Sequence, residues 1–313
     1  WMQMRDVPYL GTVRVGNQTK PIGMSNNTNQ GWLPFMERPD VNDAFYSPFD
    51  NGYALGVSSR HVAESERATW VAGVYRPATN SFGVALNKYA VGSRATGLPI
   101  DDDDGRRLVH LGLGFWGAEN VENVRRARAR PELRNGPGFA VPVLVDTGQV
   151  PSSRLFVLAP EWAMVLGSWT FQAEYAGQWL TDAVAPNGQS QGTVFFHGGY
   201  VEALYFLTGE SRAYVRNDGV FGRVVPNANF HCKKGDDNRG GGAWQIGARF
   251  SYVNLNCQAI RGGQLYDWTA GVNWYLNPNM TIQFNYILES REGPQNMAQS
   301  WINGIGVRAA FNF

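Results

Sequence analysis

Residues 124–131 read Val124-Arg125-Arg126-Ala127-Arg128-Ala129-Arg130-Pro131. Arg126, Arg128 and Arg130 are spaced by two, so an extended chain projects all three to one side. A guanidinium is planar, keeps its charge, and donates two parallel hydrogen bonds to a carboxylate or phosphate. A row of them is chemistry for drawing in anions; the plainer alternative is a solvated run of loop charge. Nothing beside it offers covalent chemistry. No nucleophile, histidine and acid fall into a catalytic set. His61, His110, His197 and His231 have no partners at metal-ligand spacing. Asp101-Asp102-Asp103-Asp104-Gly105 lacks the downstream glutamate of an EF-hand and reads as a solvated turn. Gly240-Gly241-Gly242 leads into a strand, so it is no phosphate-cradling loop before a helix. The expectation is a protein that is not an enzyme and carries no metal or cofactor.

The elements that position those arginines must be read from pattern. The chain has 313 residues, with 37 glycines, 13% aromatic and 17% charged residues, a mixture suited to many short strands and turns. That length allows two domains of about 150 residues, but a single large barrel fits equally well. The net charge of +1 argues against a nucleic-acid partner. No run of about 18 apolar residues is present, so no spanning helix is expected. A barrel hides its lipid face in alternation, which agrees with a mean hydropathy of −0.31. The first residue is Trp1, no signal peptide is visible, and the chain reads as starting inside a strand. Cys232 and Cys257 flank a strand of about 15 residues, roughly 45–50 Å long, whereas a disulfide needs Cα atoms within about 7 Å. They read as lone loop cysteines, with a bridge the lesser alternative.

Period-2 alternation is clearest near the C-terminus. Trp244, Ile246, Ala248, Phe250 and Tyr252 alternate with Gln245, Gly247, Arg249 and Ser251. Tyr266, Trp268, Ala270, Val272 and Trp274 alternate with Asp267, Thr269, Gly271 and Asn273. Residues 280–286 and 304–313 repeat the pattern, which marks strands with one apolar and one polar face. Further strands are expected at about 8–18, 51–60, 67–76, 88–98, 107–117, 154–166, 169–180 and 192–207, twelve in all, with residues 1–6 the stub of another. Leu166-Gly167-Ser168 and Leu276-Asn277-Pro278-Asn279 are tight turns. Long polar connections cover 17–50, 118–153, 181–191, 208–242 and 289–299. Short turns alternating with long loops are the asymmetry of an outer-membrane β-barrel. Trp70, Trp116, Trp169, Tyr175, Trp274, Tyr286 and Trp301 suit interfacial girdles, and the chain ends on an aromatic, Phe313.

Several segments carry a resemblance. Val13-Arg14-Val15-Gly16-Asn17-Gln18 leads into Lys20-Pro21-Ile22-Gly23, and Phe35-Met36-Glu37-Arg38 follows. Leu108–Leu113, Phe171–Tyr175, Tyr205–Glu210 and Gly271–Tyr275 fall in the same order. This ordered set resembles the phosphate-selective porin O and P family over nearly the whole chain. The resemblance implies an all-β transmembrane antiparallel barrel of sixteen strands, assembled as a homotrimer in the outer membrane of a Gram-negative-type bacterium. Twelve or thirteen strands are legible, so the first three and most of a fourth read as missing from the N-terminus. The whole of 1–313 is then one barrel domain, with 17–50 an inward-folding constriction loop and 118–153 a long extracellular loop.

The resemblance also implies roles. Arg128 and Arg130, with Arg126, match an extracellular arginine ladder. Arg38 matches an arginine at the central site, with a structural arginine paired to Glu37 or Asp40 as the alternative. Where phosphate-specific members carry lysine in the constriction loop, this chain has Asn26; Lys20 lies near but at an unmarked position. The expected function is a passive diffusion channel preferring anions, such as phosphate or polyphosphate. A structural or adhesive barrel, or less readily a barrel enzyme, is the alternative, and conductance in bilayers separates them. Trp244, Trp268, Val272, Phe284, Val307 and Phe311 should face lipid or a neighbouring subunit. Gln245, Arg249, Asp267, Asn273 and Arg308 should face the lumen.

Overall fold

The structure, a computed structural model, describes residues 1–46, 52–77, 85, 87–134, 141–230, 240–293 and 299–312. Cys232, His231 and the terminal Phe313 lie outside the described residues, as do parts of the connections. Thirteen strands form one antiparallel sheet, each paired to its neighbours in chain order. They are β1 Met2–Val7, β2 Gly11–Thr19, β3 Tyr53–Val62, β4 Ala68–Arg76, β5 Ala90–Asp102, β6 Arg107–Glu119 and β7 Arg154–Leu166. β8 Trp169–Val184, β9 Ser190–Phe206, β10 Ala243–Cys257, β11 Ile260–Asn277, β12 Met280–Glu292 and β13 Ser300–Phe311 complete it. β1 and β13 stand at the two edges, and no pairing joins them among the described residues. β11 runs 18 residues and β13 runs 12, more than the roughly 9–11 that cross a bilayer. No described helix is long and apolar enough to cross a membrane.

The twofold alternation of side chains decides which residues face where. Trp244, Trp268, Val272, Phe284, Val307 and Phe311 are all exposed on the outer face, Val307 to 66%. Gln245, Arg249, Asp267 and Asn273 are buried on the other, and Arg308 is half-buried with them. Trp70, Trp169, Tyr175, Tyr286 and Trp301 are exposed outside, but Trp116 is buried. It shares the phase of Leu108 and His110 along β6, so it points inward and packs on Tyr75. The expected stub at 1–6 is a strand, β1, over Met2–Val7, and Pro8-Tyr9-Leu10 is the turn into β2. Asp101 is no solvated turn residue: Arg216 grips it through Nε and Nη2, at 2.7 and 2.9 Å.

Consecutive antiparallel strands put successive connections at opposite ends. The connections at 20–52, 77–89 and 120–153 share one end with the two-residue turn Gln258-Ala259. Residues 8–10, 63–67, 103–106, 167–168 and 278–279 are short turns at the other end, and the long connection 207–242 joins them there. A simple alternation of short turns with long loops therefore fails at this point. Strand parity is unbroken through all thirteen strands, so the ninth connection is long at the short-turn end and the tenth is short at the other.

Three connections pack against the inner face of the sheet. Residues 20–46 are largely buried there and include a one-turn helix, α1 Met24–Asn27. Gly23 enters it at φ 70°, and a Cβ there would stand 2.6 Å from the Tyr46 ring and 2.8 Å from a Glu174 carboxylate oxygen. Only glycine combines that left-handed backbone with so close an approach. From the opposite end, Val220 and Phe221 insert beneath α1 in an apolar cluster with Met24, Leu98, Leu108, Ala163 and Val165.

Candidate functional site

The wall holds residues 20–46 by their backbone. Asn273 Nδ2 donates to Pro34 O at 2.7 Å and Gln283 Nε2 to Leu33 O at 3.1 Å. Arg308 Nη1 donates to Met36 O at 2.8 Å and Arg249 Nη2 to Glu37 O at 3.1 Å. Glu174, on β8, accepts from the backbone N–H groups of Met24 and Ser25 at 2.9 and 2.7 Å. That satisfies donors that the first turn of a helix leaves open. These inward-facing residues come from five strands, so the loop is fixed across the concave face and not along one edge.

Arg38 closes the other end of α1. Its Nε donates to Ser25 O at 2.9 Å and its Nη2 to Thr28 O at 2.8 Å. Arg38 therefore lies inside the sheet's curve, with one edge of its fork spent on backbone carbonyls. The alternative of a structural arginine had named Glu37 or Asp40 as partners; the partners are carbonyls. Burial lowers its pKa, with Glu37 and Tyr53 opposing, and a guanidinium stays charged through such a shift. Asn26 is buried, and its Nδ2 donates to Lys20 O at 3.2 Å. The Lys20 side chain is buried too, its Nζ donating to Tyr46 O at 3.4 Å and lying 5.3 Å from the Trp116 ring centre.

The arginine segment keeps its predicted alternation. Val124–Arg125 pairs with Val150–Pro151, and Arg128–Ala129 with Val145–Asp146. Ala127 and Ala129 are buried in the main apolar cluster, so Arg126, Arg128 and Arg130 share the opposite side. Arg126 is the most open, with 44% of its side chain exposed, and Nε bonds Asp146 Oδ1 at 2.8 Å. That bond raises its pKa, whereas burial and the neighbouring Arg126 lower that of Arg128. Arg130 turns to Asp43, donating from its backbone N at 2.9 Å and from Nε at 3.2 Å. Arg134 reaches the same carboxylate at 2.9 Å.

A cavity of about 270 Å³ brings the cations together. Lys20 from the first inward loop lines it with Arg125, Arg126 and Arg128 from the second, facing Glu119 and Glu122. Arg38 and Arg130 do not line it; both are committed to holding residues 20–46. Sequence reasoning missed Arg94, Arg212 and Glu132. Arg94 bonds Glu161 at 2.8 Å and the carbonyls of Asp218 and Gly219 at 3.0 and 2.6 Å. Its inward phase on β5 was the available signal.

Residues 6–313 match the profile of the family described as phosphate-selective porin O and P. The chain belongs to that family. It is 28% identical to an uncharacterized protein of Caulobacter vibrioides over 303 residues, 92% of this chain and 55% of that protein. It is 22% identical to Porin O of Pseudomonas aeruginosa over 313 residues, 90% of this chain and 66% of the relative. The chain thus spans between about half and two thirds of the curated relatives it matches. Proteins of this family reside in the outer membrane of Gram-negative bacteria. The continuous antiparallel sheet with an apolar outer face agrees with that.

Proposed function

We propose that this porin is a passive channel that prefers anions of the phosphate class, with 1–313 acting as one barrel domain. The observation that carries the reading is the cavity where Lys20, Arg125, Arg126 and Arg128 meet from two inward-folded loops. Arginine is suited to phosphate by its fork and its permanent charge, and rings of cations give anion pores their sign. In this reading Arg126 and Arg128 draw anions in. Lys20 meets them at the inner end of the cavity, and the 17–50 segment narrows the path. Arg38 and Arg130 lend charge and hold the constriction in shape, since their donors already bond Ser25, Thr28 and Asp43.

The apolar outer face, with Trp244, Trp268, Val272 and Phe311 exposed, supports burial against lipid and against two further copies in a trimer. Light scattering of the detergent-solubilised channel at trimer mass is the expected result; monomer mass counts against that part. The deciding experiment is a reversal potential across a planar bilayer under a salt gradient, using the full-length channel. Anion preference is expected, stronger for phosphate after Asn26→Lys. Cation preference in the unaltered pore overturns the proposal.

A further inference from the structure

Among the described residues, one group of carboxylates is packed far more tightly than any anion pathway would require. One oxygen each from Asp40, Glu132 and Asp267 lie within 4.8 Å of one another, and all three residues are buried. Asp40 belongs to the first inward loop, Glu132 to the second, and Asp267 to β11 of the wall. Glu289 sits directly opposite Asp267 on β12, also fully buried.

The hydrogen-bond accounting separates these four. Glu132 is well supplied: Arg249 Nε donates at 2.7 Å, Ser251 and Thr269 give hydroxyls, and the Asp40 N–H donates at 3.0 Å. Asp40 is the reverse. Both of its carboxylate oxygens are buried with no donor, and so are Asp267 Oδ2 and Glu289 Oε2. A buried carboxylate without a partner is costly, and like charges directly opposite in a sheet repel. The nearby guanidiniums do not balance the excess. Arg249 is shared with Glu202, and Arg134 is bound to Asp43.

We propose that Asp40, Glu132 and Asp267 form a calcium site that fastens both inward loops to the barrel wall. All-oxygen donors of this kind suit a hard divalent cation. Oxygens gathered this closely can share one ion, and Ca²⁺ accepts protein carboxylates as most of its shell, whereas Mg²⁺ usually keeps several waters. Asp40 and Asp267 supply the open oxygens. Glu132 contributes charge and an oxygen already oriented by its donors, as ligating carboxylates commonly are. Glu289 accepts from the Glu132 N–H at 2.9 Å and so holds that loop backbone beside the site. The cation would neutralise the acidic excess that otherwise sits within an anion-passing lumen. It would also explain how two loops far apart in sequence keep a common geometry.

The test uses the full-length channel refolded free of lipopolysaccharide, whose own phosphates bind divalent ions. After chelation at neutral pH, Ca²⁺ alone is titrated calorimetrically, and the melting temperature is read with and without it. One saturable site per subunit and a melting temperature that rises with Ca²⁺ are expected. Asp40→Asn and Asp267→Asn, each isosteric, should weaken binding at least tenfold. Asp40→Asn leaves every bond to Glu132 in place, so it should fold; if it does not, Asp267→Asn and the wild-type titration still decide. Absence of a saturable Ca²⁺ site in the wild type overturns the proposal, as does unchanged binding in both variants. Stability that rises only with acidification, without Ca²⁺ uptake, also overturns it, because protons then neutralise the cluster. None of these readouts depends on conductance, so the site stands or falls apart from the anion preference.

Discussion

The arginines of the wall and the arginines of the loop differ in what they touch. Arg94 and Arg249 are almost wholly buried; the first is bound to Glu161 and the second to Glu132 and Glu202. Arg249 also lies 4.6 Å over the Phe35 ring. Arg126 keeps 44% of its side chain exposed at a cavity. A buried guanidinium must have its partners prepaid by the fold, and those partners are loop carbonyls and carboxylates. An open one can exchange its partner for a passing anion. The same residue type thus serves as a tie in one place and stands partly open at a cavity in the other, and burial makes the distinction.

Removing a tie should cost most. Arg249→Ala leaves Glu132 and Glu202 buried without their shared cation, a loss of about 3–5 kcal/mol by analogy with other broken buried pairs. Urea unfolding in lipid vesicles should show a large drop in midpoint, and both inward loops should become protease-sensitive. An unchanged midpoint would mean that the wall arginines are not ties.

Glu174→Ala comes next. It strips the two N–H groups at the start of α1 of their acceptor, at about 1–3 kcal/mol for groups left buried and unsatisfied. The melting temperature should fall, with a smaller change in the unfolding midpoint than Arg249→Ala gives.

Opening the comparison from the loop side should leave stability nearly alone. Arg126→Ala with Arg128→Ala should lower anion conductance severalfold at low salt. The effect should fade near physiological strength, where the Debye length is about 8 Å. A loss equal at all salt levels would point to direct binding at these residues instead of steering. The smallest effect is expected from Arg216→Ala, which breaks a partly exposed pair with Asp101. Such pairs contribute at most about 1 kcal/mol, so the midpoint should hardly move.

The sheet was legible because its code is local. Trp268, Val272 and Phe284 against Asp267, Asn273 and Gln283 report their faces through neighbours one residue away, and a period of two survives without any partner strand. The stretch Arg126-Ala127-Arg128-Ala129-Arg130 announced its own sidedness in the same way. The length of each strand was less legible. β10 and β11 run on to a two-residue turn, and Gln258-Ala259 carries no glycine or proline to mark it. Trp116 was misplaced because aromatic identity was read before phase.

Read alone, the sequence determined the strands, their two faces and the family. Tertiary structure decided what the polar face is for. Arg38 and Ser25, 13 residues apart, could be guessed as neighbours; Glu132 and Arg249, 117 apart, could not. Nor could Asp40, Glu132 and Asp267 be placed within 4.8 Å of one another. Alternation fixes the direction in which a side chain points, but only the curvature of the sheet and the path of each loop set what it meets there.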